Sequence, residues 1–353
     1  MKNWFDIAVL FTLVSVAACT RIENAGAPES ITYSVGSYAA TTKAENYRTY
    51  ESLDNFQSKA FLHTEGAAEG TEFFNSTITW DGATWSPAQD YYWPKHPKSY
   101  LNFVSWYASA GITPTTVNET SFIVTREIAP EDRLLVADEA WRQSSNINTY
   151  YTAGVPTLFR HVLSRVKVNL KATTLTDPEI ANVTYEITLQ SAKFQKIFQT
   201  GTMKLLNSPL AETGTRQWYS SESPTFLWKT ASGSNANEIV LVNSNTAIGT
   251  ENTAILAERS FIPQELGDDI KMELVYSVKT LSNGVMTSIE SDIPATIVMN
   301  TIKNTSDVAI TQWVPNKIYT YNIAINPVGK EILLNPIVET EWSFEEDINV
   351  TVE

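Results

Sequence analysis

Cysteine is nearly absent: the chain of 353 residues has one, Cys19. That excludes a disulfide framework within the chain and any cysteine-rich zinc module. Histidine is almost as scarce. The three present, His63, His96 and His161, lie far apart without metal-ligand spacing and read as surface or packed side chains. Positive charge is also in deficit, with 25 Lys and Arg against 39 Asp and Glu, a net charge of −14. Such a chain repels phosphate backbones, so no nucleic-acid partner is expected. No apolar run is long enough to span a bilayer as a helix. Convincing amphipathic helices are scarce, and no internal repeat of solenoid or propeller period is evident. There is no phosphate-cradling glycine loop, dinucleotide fingerprint, Gly-x-Ser-x-Gly elbow or His-Glu-x-x-His helix. No catalytic residue, metal ligand or cofactor site is therefore assigned, and the chain is read as a non-enzyme.

At 43% hydrophobic and 18% charged, the chain has ample material for a core. Lys2 gives a weakly positive start, and Ile7 to Val16 is a short apolar run. Val16, Ala17 and Ala18 then precede Cys19, the pattern of a bacterial lipobox. Residues 1–18 read as a lipoprotein signal peptide and Cys19 as the lipidated first residue of the mature protein. A lipid would anchor an otherwise soluble chain to a membrane, each buried methylene adding ~0.8 kcal/mol.

From Ile31 onward the pattern is β almost throughout. Val166, Val168 and Leu170 alternate with Lys167, Asn169 and Lys171. Val183, Tyr185, Ile187 and Leu189 alternate in the same way, as do Ile270, Met272, Leu274, Tyr276 and Val278. Tyr319, Tyr321, Ile323 and Ile325 share one face. Such alternation sets one face against a core and the other toward solvent. Asp81-Gly82 and Asn283-Gly284 mark two hairpins. The stretch from Leu158 to Arg165 has a brief helical spacing but runs into alternation at Val166, and is read as mostly strand. Ser144 to Pro156 is the best linker. It divides the mature chain into an N-terminal domain, 19–157, and a C-terminal domain, 158–353.

Acidic clusters at Glu131-Asp132, Asp268-Asp269 and Glu345-Glu346-Asp347 sit in turn-like stretches and read as solvated loops. Trp80, Trp85, Tyr91, Tyr92, Trp93, Trp106 and Trp141 are dense in the N-terminal half. Displayed together outside a core they would suit a surface lipoprotein that binds glycans. The alternation favours the other use, filling a sandwich core.

The order of landmarks resembles the fimbrillin family, the type V pilin-like lipoproteins of Bacteroidales. The lipobox at Cys19 comes first, then the strand pattern Ile31–Ala39 and a basic residue soon after. Tyr91-Tyr92-Trp93-Pro94 and Leu101-Asn102-Phe103 follow. Arg133-Leu134-Leu135-Val136-Ala137 is similar to the family's Asp-Leu-Leu-Val-Ala, with Arg133 in place of the acid. Phe159 to Val166, Phe261-Ile262-Pro263-Gln264, and Lys317 to Ile325 ahead of Trp342 resemble later family segments.

The resemblance implies an all-β chain of two tandem transthyretin-like Greek-key β-sandwich domains. It also implies a structural subunit of a fimbria, located at the outer membrane and cell surface. Its expected partners are other pilin subunits, the outer membrane through the lipid, and a host protein or glycan receptor. Assembly would begin when a trypsin-like protease removes the first strand, whose groove then takes a strand from the next subunit. Here Ile31, Tyr33 and Val35 alternate with Thr32 and Ser34, and Lys43 and Arg48 follow in a polar stretch. Arg48 is the first cleavage candidate and Lys43 the second. At the other end Ile348, Val350 and Val352 alternate with polar residues, making 344–353 a candidate donor strand or the last strand of its own domain.

Overall fold

The computed structural model describes residues 30–37, 53–65, 67, 69–95, 99–109, 116–117, 121–124, 133–137, 140–143, 154–198, 201–205, 226–230 and 236–341. Among them the regular elements are strands, with one 3₁₀ turn at Met299–Thr301. The first ten strands are β1 (Tyr33–Ser37), β2 (Asn55–His63), β3 (Thr71–Trp80), β4 (Trp85–Pro87), β5 (Tyr100–Ala108), β6 (Thr116–Val117), β7 (Ser121–Val124), β8 (Leu134–Ala137), β9 (Ala140–Gln143) and β10 (Val155–His161).

Eight of these form one sheet in the order β2-β3-β4-β1-β10-β8-β5-β9. β5 also pairs with β2, from Gln57↔Trp106 to His63↔Tyr100, so the sheet closes on itself. Closure removes the open edges that a flat sheet leaves unpaired. β8 and β9 lie one after the other along the same side of β5. The enclosed core holds Phe56 of β2, Phe74 and Ile78 of β3, Leu101 and Phe103 of β5, and Phe159 of β10. β5 departs from simple alternation, with Leu101 to Trp106 all buried. Its other face, carrying Val104 and Trp106, is covered as well. These residues cluster with Val162, Leu163, Ile262 and Ile318, on the seam between the two halves of the chain.

The remaining strands are β11 (Ser164–Ala172), β12 (Val183–Phe198), β13 (Gly201–Leu205), β14 (Phe226–Thr230), β15 (Ala236–Val242), β16 (Thr246–Ile248), β17 (Thr253–Phe261), β18 (Gln264–Glu265), β19 (Lys271–Ser282), β20 (Val285–Val298), β21 (Gln312–Trp313), β22 (Lys317–Asn326), β23 (Glu331–Leu334) and β24 (Val338–Glu341). One sheet runs β17-β11-β22-β23, with β24 also on β22, and a second runs β15-β12-β19-β20, with β16 on β12. Their inner faces share a core of Val166, Val168 and Leu170 from β11, Tyr321 and Ile323 from β22, and Leu274 from β19. The alternation in sequence is the alternation of this core face. A short ladder pairs β18 with β21.

Both halves place their first strand parallel to a later one, β1 with β10 and β11 with β22. A fourth sheet, β14-β13-β7-β6, crosses between the halves through Gly201↔Val124 to Lys204↔Ser121. The stretch read as mostly strand contains the end of β10 and the start of β11, broken at the buried pair Val162 and Leu163. Asn283 and Gly284 both have positive φ, at 49° and 75°, and close the β19–β20 hairpin as a primed two-residue turn. At the other hairpin Asp81 Oδ1 accepts hydrogen bonds from the amides of Ala83 and Thr84, and the loop spans four residues between β3 and β4.

Candidate functional site

The first strand is the element whose removal the family resemblance implies, so its seat is taken as the candidate site. Ile31, Tyr33 and Val35 point inward and are 0, 5 and 6% exposed. Main-chain bonds hold the strand unevenly. On one side it runs parallel to β10 from Tyr33↔Val155 to Ser37↔Phe159. On the other it meets β4 at a single position, Tyr33↔Trp85. The Ile31 amide donates to the Tyr91 carbonyl at 2.7 Å, and the Val155 amide donates to the Thr32 carbonyl at 2.7 Å. Burying three such side chains stabilises the seat by roughly 5–9 kcal/mol before ordering costs, at ~1.5–3 kcal/mol each.

Tyr33 occupies the middle of the seat. Its ring meets Phe56 and Phe103 edge-on, with centroids 5.5 and 6.0 Å away. Its hydroxyl donates to Ser58 Oγ at 2.9 Å, and Ser58 Oγ lies 2.8 Å from Ser105 Oγ. Ser58 and Ser105 are themselves buried, on β2 and β5. Burial pushes the Tyr33 phenol well above the usual tyrosine range, only partly offset by the bond to Ser58. The side chain therefore stays neutral and remains a hydrogen-bond donor.

Gly154 sets the spacing at the entry to β10. Its φ is +70°, and a Cβ there would lie 2.8 Å from the Tyr33 carbonyl carbon and 3.0 Å from the Ser34 amide nitrogen. Both contacts are to backbone, which cannot swing aside. An ordinary Gly→Ala replacement stabilises, but Gly154→Ala should lower stability by more than ~1 kcal/mol, because left-handed backbone strain and the clash add. Thermal melting of the uncut protein checks this; an unchanged melt would show that β1 does not press on β10 there.

The cleavage candidates Lys43 and Arg48, the lipidation candidate Cys19, and the donor-strand candidates Ile348, Val350 and Val352 lie outside the described residues. In sequence, Lys43 and Arg48 fall between Ser37 at the end of β1 and Leu53, which is buried in the N-terminal core. His63 and His161 are buried, and His63 stacks on Tyr100 with centroids 4.6 Å apart. Trp85, Trp93 and Trp106 are buried, and Trp80 is half-buried with its ring centroid 5.7 Å from that of Trp85. These tryptophans fill core and seam rather than forming an exposed sugar platform. Asp268 and Asp269 sit in a loop, where Asn300 donates to the first at 2.7 Å and Lys196 pairs with the second at 3.0 Å. The Lys196 hydrogen bond holds the Asp269 carboxyl below the usual range. Among the described residues no group of three or more His, Cys, Asp or Glu is placed to hold a metal ion, and no helix is long and apolar enough to cross a membrane.

Sequence reasoning missed Ser58, Ser105 and Gly154. The two serines do carry a signal. Each occupies an inward position of an otherwise apolar row, Phe56-x-Ser58-x-Ala60 and Leu101-x-Phe103-x-Ser105. A hydroxyl in such a place needs a buried partner.

Residues 42–342 match the family model described as Fimbrillin-like, well over half of the chain. The chain belongs to the fimbrillin-like family. No curated protein matches this fimbrillin-like chain in sequence at a significant level. Among solved structures it is similar to a fimbrial protein from Bacteroides vulgatus, with a TM-score of 0.56 and 14% identity over 89% of this chain and 99% of that one. At that identity the likeness shows the fold. It is also similar to a candidate cell adhesion protein from Parabacteroides distasonis, with a TM-score of 0.48 and 11% identity over 89% of this chain and 96% of the other. The fimbrial anchor protein Mfa2 from Porphyromonas gingivalis matches with a TM-score of 0.35 and 12% identity, over 88% and 97% of the two chains.

Proposed function

We propose that this fimbrillin-like chain is a structural subunit of a cell-surface fimbria, assembled by proteolysis-triggered β-strand exchange and supporting adhesion. The observation that carries the reading is the seat of β1. The segment from Ile31 to Ser37 carries three buried inward side chains, pairs along β10 on one side, and is otherwise held by Tyr33↔Trp85 and by the Ile31 amide on the Tyr91 carbonyl. Cutting after Arg48 or Lys43 would separate it from the rest of the domain. A strand of the same alternation could then bond to β10 and restore the core. The tail candidates Ile348, Val350 and Val352 would be this chain's own contribution to a neighbouring subunit. The N-terminal and C-terminal domains would travel as one body, since the seam cluster and the β7–β13 pairing join them.

Export as a lipoprotein through Cys19 would place the subunit at the outer membrane, with other pilin subunits, identical or related, as partners. A host protein or glycan receptor would be the adhesive target. Cys19→Ser should abolish membrane anchoring and palmitate labelling, and equal labelling of variant and parent would reject the anchor.

Brief trypsin treatment of purified protein tests the trigger. One main trimmed species should appear, beginning at Thr49 or Ala44, while the uncut chain stays monomeric. Cleavage deep in the chain with an intact N-terminus would overturn the reading.

A further inference from the structure

We propose that the Ser58–Ser105 hydroxyl pair on the floor of the β1 seat selects the incoming strand: it favours a tyrosine flanked, two positions away on each side, by aliphatic residues. This rests on the strand-exchange reading above. Its corollary is that this chain's own tail is a poor occupant of its own kind of seat, so the preferred donor is an unlike subunit.

Ile31, Tyr33 and Val35 point inward, and the Tyr33 hydroxyl reaches Ser58 Oγ at 2.9 Å, with Ser105 Oγ 2.8 Å further on. The phenol is thus the outermost member of a three-hydroxyl chain closed off from water. When β1 leaves, Ser58 loses a donor. Water can serve while the groove is open, but a strand that reseals it must supply a donor or leave a buried polar atom short of a partner. The ring also fills the space between Phe56 and Phe103, where a smaller side chain would leave a void. A long charged side chain would reach the serines only by burying its charge among aromatic rings.

The tail repeats the spacing of β1 but not its centre. Ile31-x-Tyr33-x-Val35 corresponds to Ile348-x-Val350-x-Val352, so valine replaces tyrosine at the one position that meets the hydroxyl pair. Valine carries no donor and stops short of Ser58. The seat and the outgoing strand are therefore mismatched, and the chain is suited to join unlike neighbours rather than to repeat upon itself.

The test uses full chain nicked by trypsin after Arg48, in which labelled peptides exchange with the β1 fragment. Four peptides are compared: residues 30–37, the same with Tyr33→Phe, the same with Tyr33→Val, and residues 347–353. The Tyr33→Phe peptide should bind about tenfold more weakly than the parent. The Tyr33→Val and tail peptides should be weaker by about a hundredfold. In nicked Ser58→Ala/Ser105→Ala protein the preference for tyrosine should vanish or reverse, because the buried phenol hydroxyl would then lack a partner. Equal affinities in the parent protein would overturn the selection while leaving strand exchange standing. Failure of all four peptides, β1's own sequence included, would remove strand exchange and the selection with it. Uncut protein gives a second measurement that needs no exchange. Tyr33→Phe and Ser58→Ala should be non-additive in denaturant unfolding, and strict additivity would overturn the proposal.

Discussion

Val350→Asp should leave the melting temperature of the uncut monomer unchanged and abolish subunit ladders in unboiled extracts of the cell surface. In the proposed assembly the tail's apolar side chains, Ile348, Val350 and Val352, enter a neighbour. An aspartate in the middle would carry an unpaired charge into a groove built for apolar groups. That costs several kcal/mol, enough to cancel most of what three buried aliphatic side chains contribute, at ~1.5–3 kcal/mol each. The subunit's own core would not notice. On the donor-strand reading the tail, which follows β24 (Val338–Glu341), contributes no side chain to that core. The two readouts separate the alternatives. A markedly lowered melt would place the tail in its own sheet, and unchanged ladders would remove it from assembly altogether.

Trp313→Ala should cost the C-terminal half about 3–5 kcal/mol of stability. Trp313 is 1% exposed, and its ring lies 5.2 Å from Phe261 and 6.0 Å from Phe194, centroid to centroid. Its indole N–H donates to the Tyr321 hydroxyl at 2.8 Å. Truncation therefore opens a large cavity and also leaves that hydroxyl without its donor. Tyr321 is itself buried, so losing the indole leaves a buried hydroxyl short of a partner. Denaturant unfolding followed by tryptophan fluorescence and circular dichroism measures the loss. A change under about 1 kcal/mol would mean that the two C-terminal sheets do not close around this residue.

Much of the C-terminal architecture is legible because its core has one buried face per sheet. Val166, Val168 and Leu170 alternate in sequence, as do Tyr319, Tyr321, Ile323 and Ile325, because the alternate residues face the opposing sheet. Asn283-Gly284 is legible because two positive φ angles in succession favour that pair of residues. β5 is harder to read. It is covered on both faces, by the N-terminal core and by the seam, so Leu101 to Trp106 shows no alternation. The parallel pairing of β1 with β10 and the pairing of β7 with β13 join segments far apart in sequence, and neither leaves a local mark. The alternation Ile31, Tyr33, Val35 does identify β1 as a strand with one inward face. What the residues alone do not give is the polar floor beneath it. Ser58 and Ser105 stand out in sequence as hydroxyls in apolar rows, but it takes closure of the sheet to bring them together under Tyr33. Gly154 likewise has meaning only once β1 is laid against it.

The central claim is that β1 leaves its seat when the subunit assembles. N-terminal sequencing and intact mass of subunits taken from assembled fimbriae test it most directly. Chains from assembled fimbriae should begin at Thr49 or Ala44 and lack Ile31, Tyr33 and Val35. Assembled subunits that still carry those three residues at their N-terminal end would contradict it.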